Sequence, residues 1–434
     1  MQDINISIVG LGACEAAQLS DSAMSVLLSA QLVLGSERQL KVVRHLLNDQ
    51  QITPFLPKLD VLQKVLTQYY QQGVQAVVIL ASGDPLYYGI GTWFSRHYAP
   101  QQLSFYPAIS SMQEVCHRLG LTLQDTQVLS LHGRAVAKLR SQLREDHTLL
   151  ILTDQQSTPQ ILANELVNAG YHEAQIIVCE SIGYRYENIE RFDVKNLVRN
   201  PKQFDALHIS VIETGKSNKA LPQFPGFANH HFLTDGDSSR AMITKVEVRL
   251  AVLSLLAPKA GDVIYDIGAG CGSVSVELGY WCERAKIIAI EKNAERFEYL
   301  QKNQQKFGLV SNLQLVHGQA PQVLDGLAKA NKIFIGGSDG NLIPLLEQQW
   351  DALEHEGKIV ATAVLEETKQ QLMAFLKQRN IKGDSQSTTQ QIAVSHGEYL
   401  AGKLIYRPAL PVSIFSFTKT NLNKAIAASA KDIK

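Results

Sequence analysis

Neither sign of charge is in excess in this chain: 41 Lys and Arg stand against 41 Asp and Glu. Phosphate backbones and anionic membrane surfaces are held by clustered positive charge. The balance therefore argues against a dominant nucleic-acid or membrane-surface role and leaves room only for local basic pockets. Cysteine is scarce and scattered. The five, Cys14, Cys116, Cys179, Cys271 and Cys282, form no C-x-x-C pair, and an odd count over 434 residues points to free thiols in a reducing compartment. Long apolar runs are missing too, since stretches such as Ala76–Ala81 fall far short of the roughly 18 residues that suggest a membrane helix. The N-terminus enters a strand-like alternation at Ile4–Val9, without the basic segment and apolar core of a signal peptide. A cytoplasmic location is expected. The sequence also lacks a nucleophile elbow, a Ser/His/Asp order and a metal-ligand set. His230-His231 is the one tempting pair, but it has no partner at ligand spacing, so no metal site is expected.

What is present is a long chain of ordinary apolar content. At 434 residues it exceeds the length over which one core usually keeps growing, so two domains are expected. Short apolar runs alternate with longer amphipathic stretches, the pattern of α/β architecture. In the first half the runs predict strands at Ile4–Val9, Leu32–Leu34, Ala76–Leu80, Leu103–Tyr106, Val128–Leu131, Thr148–Leu152, Gln175–Val178 and Ala206–Ile212. Helical patterns cover Leu59–Gln72 and Pro159–Ala169, the latter stopped by Gly170. Periodicity then lapses, and Pro, Gly, Ser and Asn mark a linker over 215–239. A helix from about Thr244 to Leu256 opens a second series. Its strands are predicted at Val263–Tyr265, Lys286–Ile290, Leu313–Val316, Lys332–Ile335 and Lys358–Ala361, with Gln391–Ser395 and Val412–Thr418 as an antiparallel edge. The division expected is 1–214, linker 215–239, second domain 240–420 and tail 421–434. The halves share a class of fold and no visible repeat.

The strongest chemical signal is Val263-Ile264-Tyr265-Asp266-Ile267-Gly268-Ala269-Gly270-Cys271-Gly272-Ser273. An apolar strand ends in an acid, and three alternate glycines open a helix whose first N–H groups are unpaired. A dinucleotide fingerprint would need Gly or Ala where Ser273 stands. Glu291 closes the next strand, where a carboxylate can accept hydrogen bonds from both hydroxyls of a ribose. The purely structural alternative is a tight strand–helix turn beside a solvated Glu.

The D-x-G-x-G-x-G spacing resembles motif I of class I S-adenosylmethionine (SAM)-dependent methyltransferases. The wider series resembles the decarboxylating precorrin methyltransferases over about 240–418. It comprises Met242-Ile243-Thr244-Lys245-Val246-Glu247-Val248-Arg249, His317-Gly318-Gln319-Ala320-Pro321 and Ile333-Phe334-Ile335-Gly336-Gly337-Ser338. Cys271 departs from the usual Ser or Thr but keeps a small side chain. The resemblance implies a class I Rossmann-like fold in which Asp266, Gly268, Gly270, Gly272 and Glu291 hold SAM. It places Gln319 and Ala320 near the adenine and Thr244 over the cofactor, while Gly336 and Gly337 leave room for a flat substrate. Thr244 has an alternative role as an N-cap with Glu247 as its capping-box partner.

In the first half, Val9-Gly10-Leu11-Gly12 and Ala81-Ser82-Gly83-Asp84-Pro85-Leu86-Tyr87-Tyr88-Gly89-Ile90-Gly91 end apolar strands in glycine-bearing loops. Pro107-Ala108-Ile109-Ser110-Ser111 and Ser130-Leu131-His132-Gly133-Arg134 carry a similar signature. Four such loops suggest one cleft. Together they resemble the tetrapyrrole methylase family, in its precorrin branch, over roughly 3–212. Ala13-Cys14 stand where that family usually has Pro-Gly. The resemblance implies a two-lobed fold with SAM between the lobes, touched by Gly83, Asp84, Tyr87, Ser110, Ser111 and Thr153. Asp84 could equally be a turn carboxylate before Pro85.

Both resemblances imply SAM-dependent methylation of carbons 5 and 15 of precorrin-6B, with loss of carbon dioxide from the carbon-12 acetate, giving precorrin-8 in cobalamin biosynthesis. Carbon 5 falls to the first half, and carbon 15 with the decarboxylation to the second. One SAM site per domain and a homo-oligomer, a tetramer through the C-terminal domain, are implied. The substrate bears several carboxylates, so His132, Arg134, Lys245 and Arg249 are its candidate contacts. No catalytic residue is assigned. Two readings stay open beside this one: a SAM methyltransferase for another substrate such as RNA, and a non-catalytic tetrapyrrole carrier.

Overall fold

The runs of Val, Ile and Leu that the sequence places between helices become the inner strands of three sheets. The computed structural model describes residues 4–236 and 243–420. The expected tail, 421–434, lies outside the described residues, as do 237–239 of the expected linker and 240–242, Met242 included, of the domain expected to follow it. The chain divides into two units: Met1–Val136 with Leu143–Ala220, and Leu221–Lys434 with Ala137–Gln142.

The first unit has two sheets. One is parallel, in the order β2-β3-β1-β4, from β1 (Asn5–Gly10), β2 (Leu32–Leu34), β3 (Ala76–Ala81) and β4 (Leu103–Tyr106). β2 and β3, Leu-Val-Leu and Ala-Val-Val-Ile-Leu-Ala, are apolar without alternation because both faces are covered. Val77 and Ile79 pack with Leu62, Leu66 and Phe94 on one side, while Val78 and Leu80 pack with Ala23, Leu27 and Val43 on the other. The second sheet is mixed, in the order β5-β6-β9-β7-β8. It comprises β5 (Thr126–Ser130), β6 (Thr148–Leu152), β7 (Gln175–Glu180), β8 (Asn188–Asp193) and β9 (His208–Glu213). The helix Ser111–Leu119 lays Met112, Val115 and Cys116 on it, against Leu150, Ile177 and Val211. The polar strand β8, Asn-Ile-Glu-Arg-Phe-Asp, has no apolar run and is not anticipated by the sequence reading.

The second unit is built on seven strands in the order β12-β11-β10-β13-β14-β18-β15. These are β10 (Val263–Ile267), β11 (Lys286–Glu291), β12 (Leu313–His317), β13 (Lys332–Ile335), β14 (Lys358–Ala363), β15 (Ser385–Ile392) and β18 (Val412–Lys419); β16 (Ser395–Leu400) and β17 (Lys403–Pro408) form a separate hairpin. Only β18 runs antiparallel to both neighbours. On one face lie the helices Val246–Leu256, Ser273–Trp281 and Ala294–Lys306; Leu342–Ala352 and Glu366–Lys382 cover the other.

Two details correct the sequence reading. Gln391–Ser395 is not one strand, because it straddles the break between β15 and β16; β18 is the antiparallel strand expected, but polar β15 is the edge. The stretch read as a linker also does more than connect. Phe227 and Phe232 from it are buried in the core of the second unit, with Phe227 stacked 5.5 Å from Phe307. Apolar residues spaced without periodicity carried no signal of this.

Candidate functional site

Strand order in the second unit sets the place of a site. From β10 the sheet continues to β11 and β12 on one side and to β13 and β14 on the other. The carboxyl ends of β10 and β13 therefore flank the crevice where such sheets bind ligands. The loops after these two strands meet backbone to backbone: a Cβ on Gly268, whose φ is +72°, would lie 2.6 Å from the Gly337 carbonyl oxygen. The Gly336 N–H donates to the Ile267 carbonyl at 2.9 Å, which locks the contact. Gly272, at φ +86°, caps the helix Ser273–Trp281, and a Cβ there would strike Leu300. Its work is helix packing rather than cavity lining.

Above these loops opens a cavity of about 440 Å³. Of the residues singled out from sequence, Thr244, Lys245, Gly268, Gly270 and Glu291 are on its wall, as are Gln319, Ala320, Gly336 and Gly337. Glu291 is buried, and each of its carboxylate oxygens is fixed by one backbone N–H at 2.7 Å: Oε2 by Gly270 and Oε1 by Asn293. A carboxylate has about four lone-pair positions, so acceptor capacity remains on the side of the cavity. Lys292, Arg296, Ser338 and Asp339 also line it and were not anticipated. Lys292 and Asp339 form a half-exposed ion pair between the loops after β11 and β13. Arg296 Nε donates to Asp235 at 2.8 Å. The signal for Lys292 was adjacency to Glu291, which a wider motif would have captured.

Three expectations change here. Thr244 is not an N-cap: Lys245 occupies that position without a side-chain capping bond, leaving Thr244 on the cavity wall. Asp266 lies behind the wall. Its Oδ2 accepts from the Ser275 hydroxyl, its Oδ1 has no partner among the described residues, and desolvation pushes its carboxyl up to about 6. Arg249, expected beside substrate carboxylates, is wholly buried and bound to Glu277 and to the Thr244 and Phe227 carbonyls. Its charge holds residues of the preceding strap and cannot reach the cavity. Cys271 is a buried filler whose thiol burial raises to about 11.

In the first unit the loops after β1, β3 and β4 converge. A Cβ on Gly10 would lie 2.0 Å from the Gly83 carbonyl oxygen, and one on Gly83 would lie 2.6 Å from Ser110 Cα. Ser110 caps the helix Ser111–Leu119 in a capping box with Gln113. Ser111 lines a cavity of about 70 Å³ together with Gly12, Ser82, Tyr184 and His208. The Thr153 hydroxyl lies 3.0 Å from His208 Nε2, one step behind that wall. Asp84 accepts from the Leu86 N–H at 2.8 Å, as a turn carboxylate does. Tyr87 is exposed and edge-on to Tyr88, whose hydroxyl donates to the Val128 carbonyl. His132 and Arg134 are exposed on the loop after β5 and stand off the small cavity. That loop is pinned by the Gly133 N–H to Asp154 at 2.7 Å, a bond that leads in drawing the Asp154 carboxyl down to about 2.

The chain matches two families: the Tetrapyrrole (Corrin/Porphyrin) Methylases over residues 5–198 and the Precorrin methyltransferase domain over 231–419. A precorrin-6Y C(5,15)-methyltransferase [decarboxylating] from Sinorhizobium sp is 31% identical over 416 residues, 95% of this chain and 96% of that protein. One of the same name from Mycobacterium tuberculosis (strain ATCC 25618 / H37Rv) is 30% identical over 95% of this chain and 100% of that one. Among solved structures, the C-terminal domain of precorrin-6Y C5,15-methyltransferase from Rhodobacter capsulatus is 32% identical. It covers 46% of this chain and 100% of its own, with a TM-score of 0.41. The two full-length relatives make the chain a methyltransferase, a class that implies SAM as the methyl donor. More narrowly, it belongs to the family of precorrin-6Y C(5,15)-methyltransferases of the decarboxylating kind. No helix among the described residues is long and apolar enough to cross a membrane.

Proposed function

We propose that this chain methylates carbons 5 and 15 of precorrin-6B and removes the carbon-12 acetate carboxyl as carbon dioxide, giving precorrin-8. The observation that carries the reading is full-length similarity to relatives of that named activity, 31% identity over 95% of the chain. Residues 1–214 would serve carbon 5, and 240–420 carbon 15 and the decarboxylation, each with its own SAM site, in the cytoplasm.

The second unit fits the cofactor. A cavity of about 440 Å³ is within the size range of nucleotide-scale ligands. Glu291 is held rigid with lone pairs to spare for ribose hydroxyls, and Gly268 and Gly270 let a ligand approach the backbone. Gln319 and Ala320 would flank the base, Thr244 and Lys245 the outer wall. When bound, SAM supplies a methyl already activated on a sulfonium. The chain's own work is then alignment and exclusion of water. Gly336 and Gly337 add no side chain above the crevice and leave a flat opening for a macrocycle. As the acetate carboxyl leaves as carbon dioxide, the macrocycle would take up the bonding electron pair, and a proton from solvent would then be added to the former acetate carbon to leave a methyl group; Lys245 would hold a neighbouring carboxylate in register. In the first unit Gly83, Ser110, Ser111 and Thr153 would bound the second cofactor site, with His132 and Arg134 toward substrate.

A homo-oligomer, taken to be a tetramer through the C-terminal domain, is part of the proposal. Gly397, Tyr399, Leu404 and Tyr406 share one face of the β16–β17 hairpin, and its tyrosines are 78% and 68% exposed. An isolated two-stranded hairpin is marginal in water, and a partner on that face would stabilise it. The test of the activity uses the full chain with SAM and precorrin-6B, followed by mass spectrometry. Two methyl additions and one loss of carbon dioxide are expected; an unchanged macrocycle would overturn the reading.

A further inference from the structure

Arg38 was not singled out by any motif, yet it heads the small cavity of the first unit. It is the second residue of the helix Glu37–Val43, whose start is fixed by a capping box between Ser36 and Gln39. Its guanidinium reaches the Ser82 hydroxyl at 3.1 Å and the Tyr184 hydroxyl at 3.3 Å. Gln39 donates to the same Ser82 oxygen at 3.3 Å. Both acceptors are neutral, and no carboxylate pairs with Arg38 among the described residues. Other arginines of this unit behave differently: Arg118 binds Glu114 and Glu187, and Arg191 binds Glu213. A guanidinium carries five N–H donors in a planar fork shaped for bidentate contact with a carboxylate. Here two are used, and the fork is held at the wall beside Ser111 and Gly12. Cys179, Ile182 and Ile209 give the cavity an apolar side, while Arg38 itself stands exposed on its wall. At about 70 Å³ the space suits an acid group at the end of a larger molecule, not a macrocycle.

We propose that Arg38 receives a carboxylate of a reactant at this cavity, with Ser82 and Tyr184 as the positioning residues that aim its fork. The inference rests on the methyltransferase reading, which offers two sources of that carboxylate: the amino-acid end of SAM and the acid side chains of the macrocycle.

The test uses the full-length chain and the variants Arg38→Met and Arg38→Lys. SAM binding is titrated by calorimetry, and KM for the macrocycle is measured on methyl addition at carbon 5. Charge-assisted hydrogen bonds of this type are worth enough to weaken one of the two reactants roughly ten- to hundredfold in Arg38→Met. Arg38→Lys recovers part of the loss. Weaker SAM binding with KM unchanged places the carboxylate on the cofactor; a raised KM with SAM binding unchanged places it on the macrocycle. The Ser82→Ala/Tyr184→Phe pair shows a smaller effect of the same kind. Thermal unfolding followed by circular dichroism, with both units' transitions retained, reports that the variants are folded. Unaltered SAM affinity and KM in Arg38→Met overturn the inference, as does a fall in thermal stability alone. Failure of the unaltered chain to methylate carbon 5 would instead overturn the function proposed for this half.

Discussion

Arg249 and Glu277 form an ion pair at 2.6 Å with neither side chain exposed to solvent. Glu277 also accepts the N–H groups of Gly226 and Phe227 and the indole N–H of Trp281. One carboxylate thus serves four donors, two of them, Gly226 and Phe227, on the stretch that precedes the helix Val246–Leu256. Removing one partner of a buried pair leaves an uncompensated charge and costs about 3–5 kcal/mol. Glu277→Ala is expected to lower the unfolding free energy of the second unit, read from urea denaturation, by that order. Arg249→Met, which leaves the acid with its other donors, costs less. If Arg249 touched substrate, its loss would raise KM at unchanged stability; that result would sink the assignment made here.

Asp266 gives the second unit a pH dependence of the unusual sign. Its carboxyl titrates near 3.8 when solvated and is pushed up to about 6 in the fold, chiefly by desolvation. Between those values the folded chain keeps a proton that the unfolded chain has released. The contribution to stability is therefore whole below pH 4 and falls away as pH rises through about 6, by roughly 3 kcal/mol. Asp266→Asn should gain on the unaltered chain across that window and hold its advantage above it. Denaturation midpoints from pH 4 to 8 would show this, and a constant difference between the two proteins would refute it.

Gly268→Ala should abolish addition at carbon 15 and leave carbon 5 untouched. The new methyl group would meet the Gly337 backbone at 2.6–2.7 Å, where no flexible side chain can give way. Product analysis by mass spectrometry separates the two methyl additions, and retention of both would count against the crevice as the C-terminal site.

For Glu291, the amide is as informative as truncation. In Glu291→Gln an NH2 group would face the N–H of Gly270 or Asn293, donor against donor. SAM affinity of the second unit is expected to fall by about 1–3 kcal/mol, the cost of an unsatisfied buried donor. Calorimetry showing equal affinity would remove Glu291 from the site.

The exposed hairpin face predicts that Tyr399→Glu with Tyr406→Glu lowers the oligomer order in light scattering without unfolding the chain. A monomeric unaltered protein would dispose of the proposed assembly.

Much of this fold could be read from residues. Leu32–Leu34, Leu103–Tyr106, Thr148–Leu152 and Lys332–Ile335 end where the structure ends them, because each is a mainly apolar run whose side chains the sheet packs against its covering helices. β8 and β15 could not, since polar edge strands owe their form to a neighbour's hydrogen bonds and not to their own pattern. The second unit's wall was legible for the same local reason: Gly268, Gly270 and Glu291 sit at strand ends, where spacing fixes position. Arg249 misled because sequence reports a charge and not its burial. Arg38 and Asp339 were invisible because each faces its cavity by virtue of how separate loops are brought together.

Cys271 lies in the glycine loop of one cavity's strand, and Cys179 on the wall of the other. Burial raises their thiols to about 11 and about 12, and only the thiolate attacks oxidants and alkylating agents. At neutral pH no more than about one molecule in ten thousand carries that form at either place. Peroxide and iodoacetamide should therefore leave Cys271 and Cys179 largely unmodified in the folded chain, so that neither cavity carries a reactive thiol at these two positions.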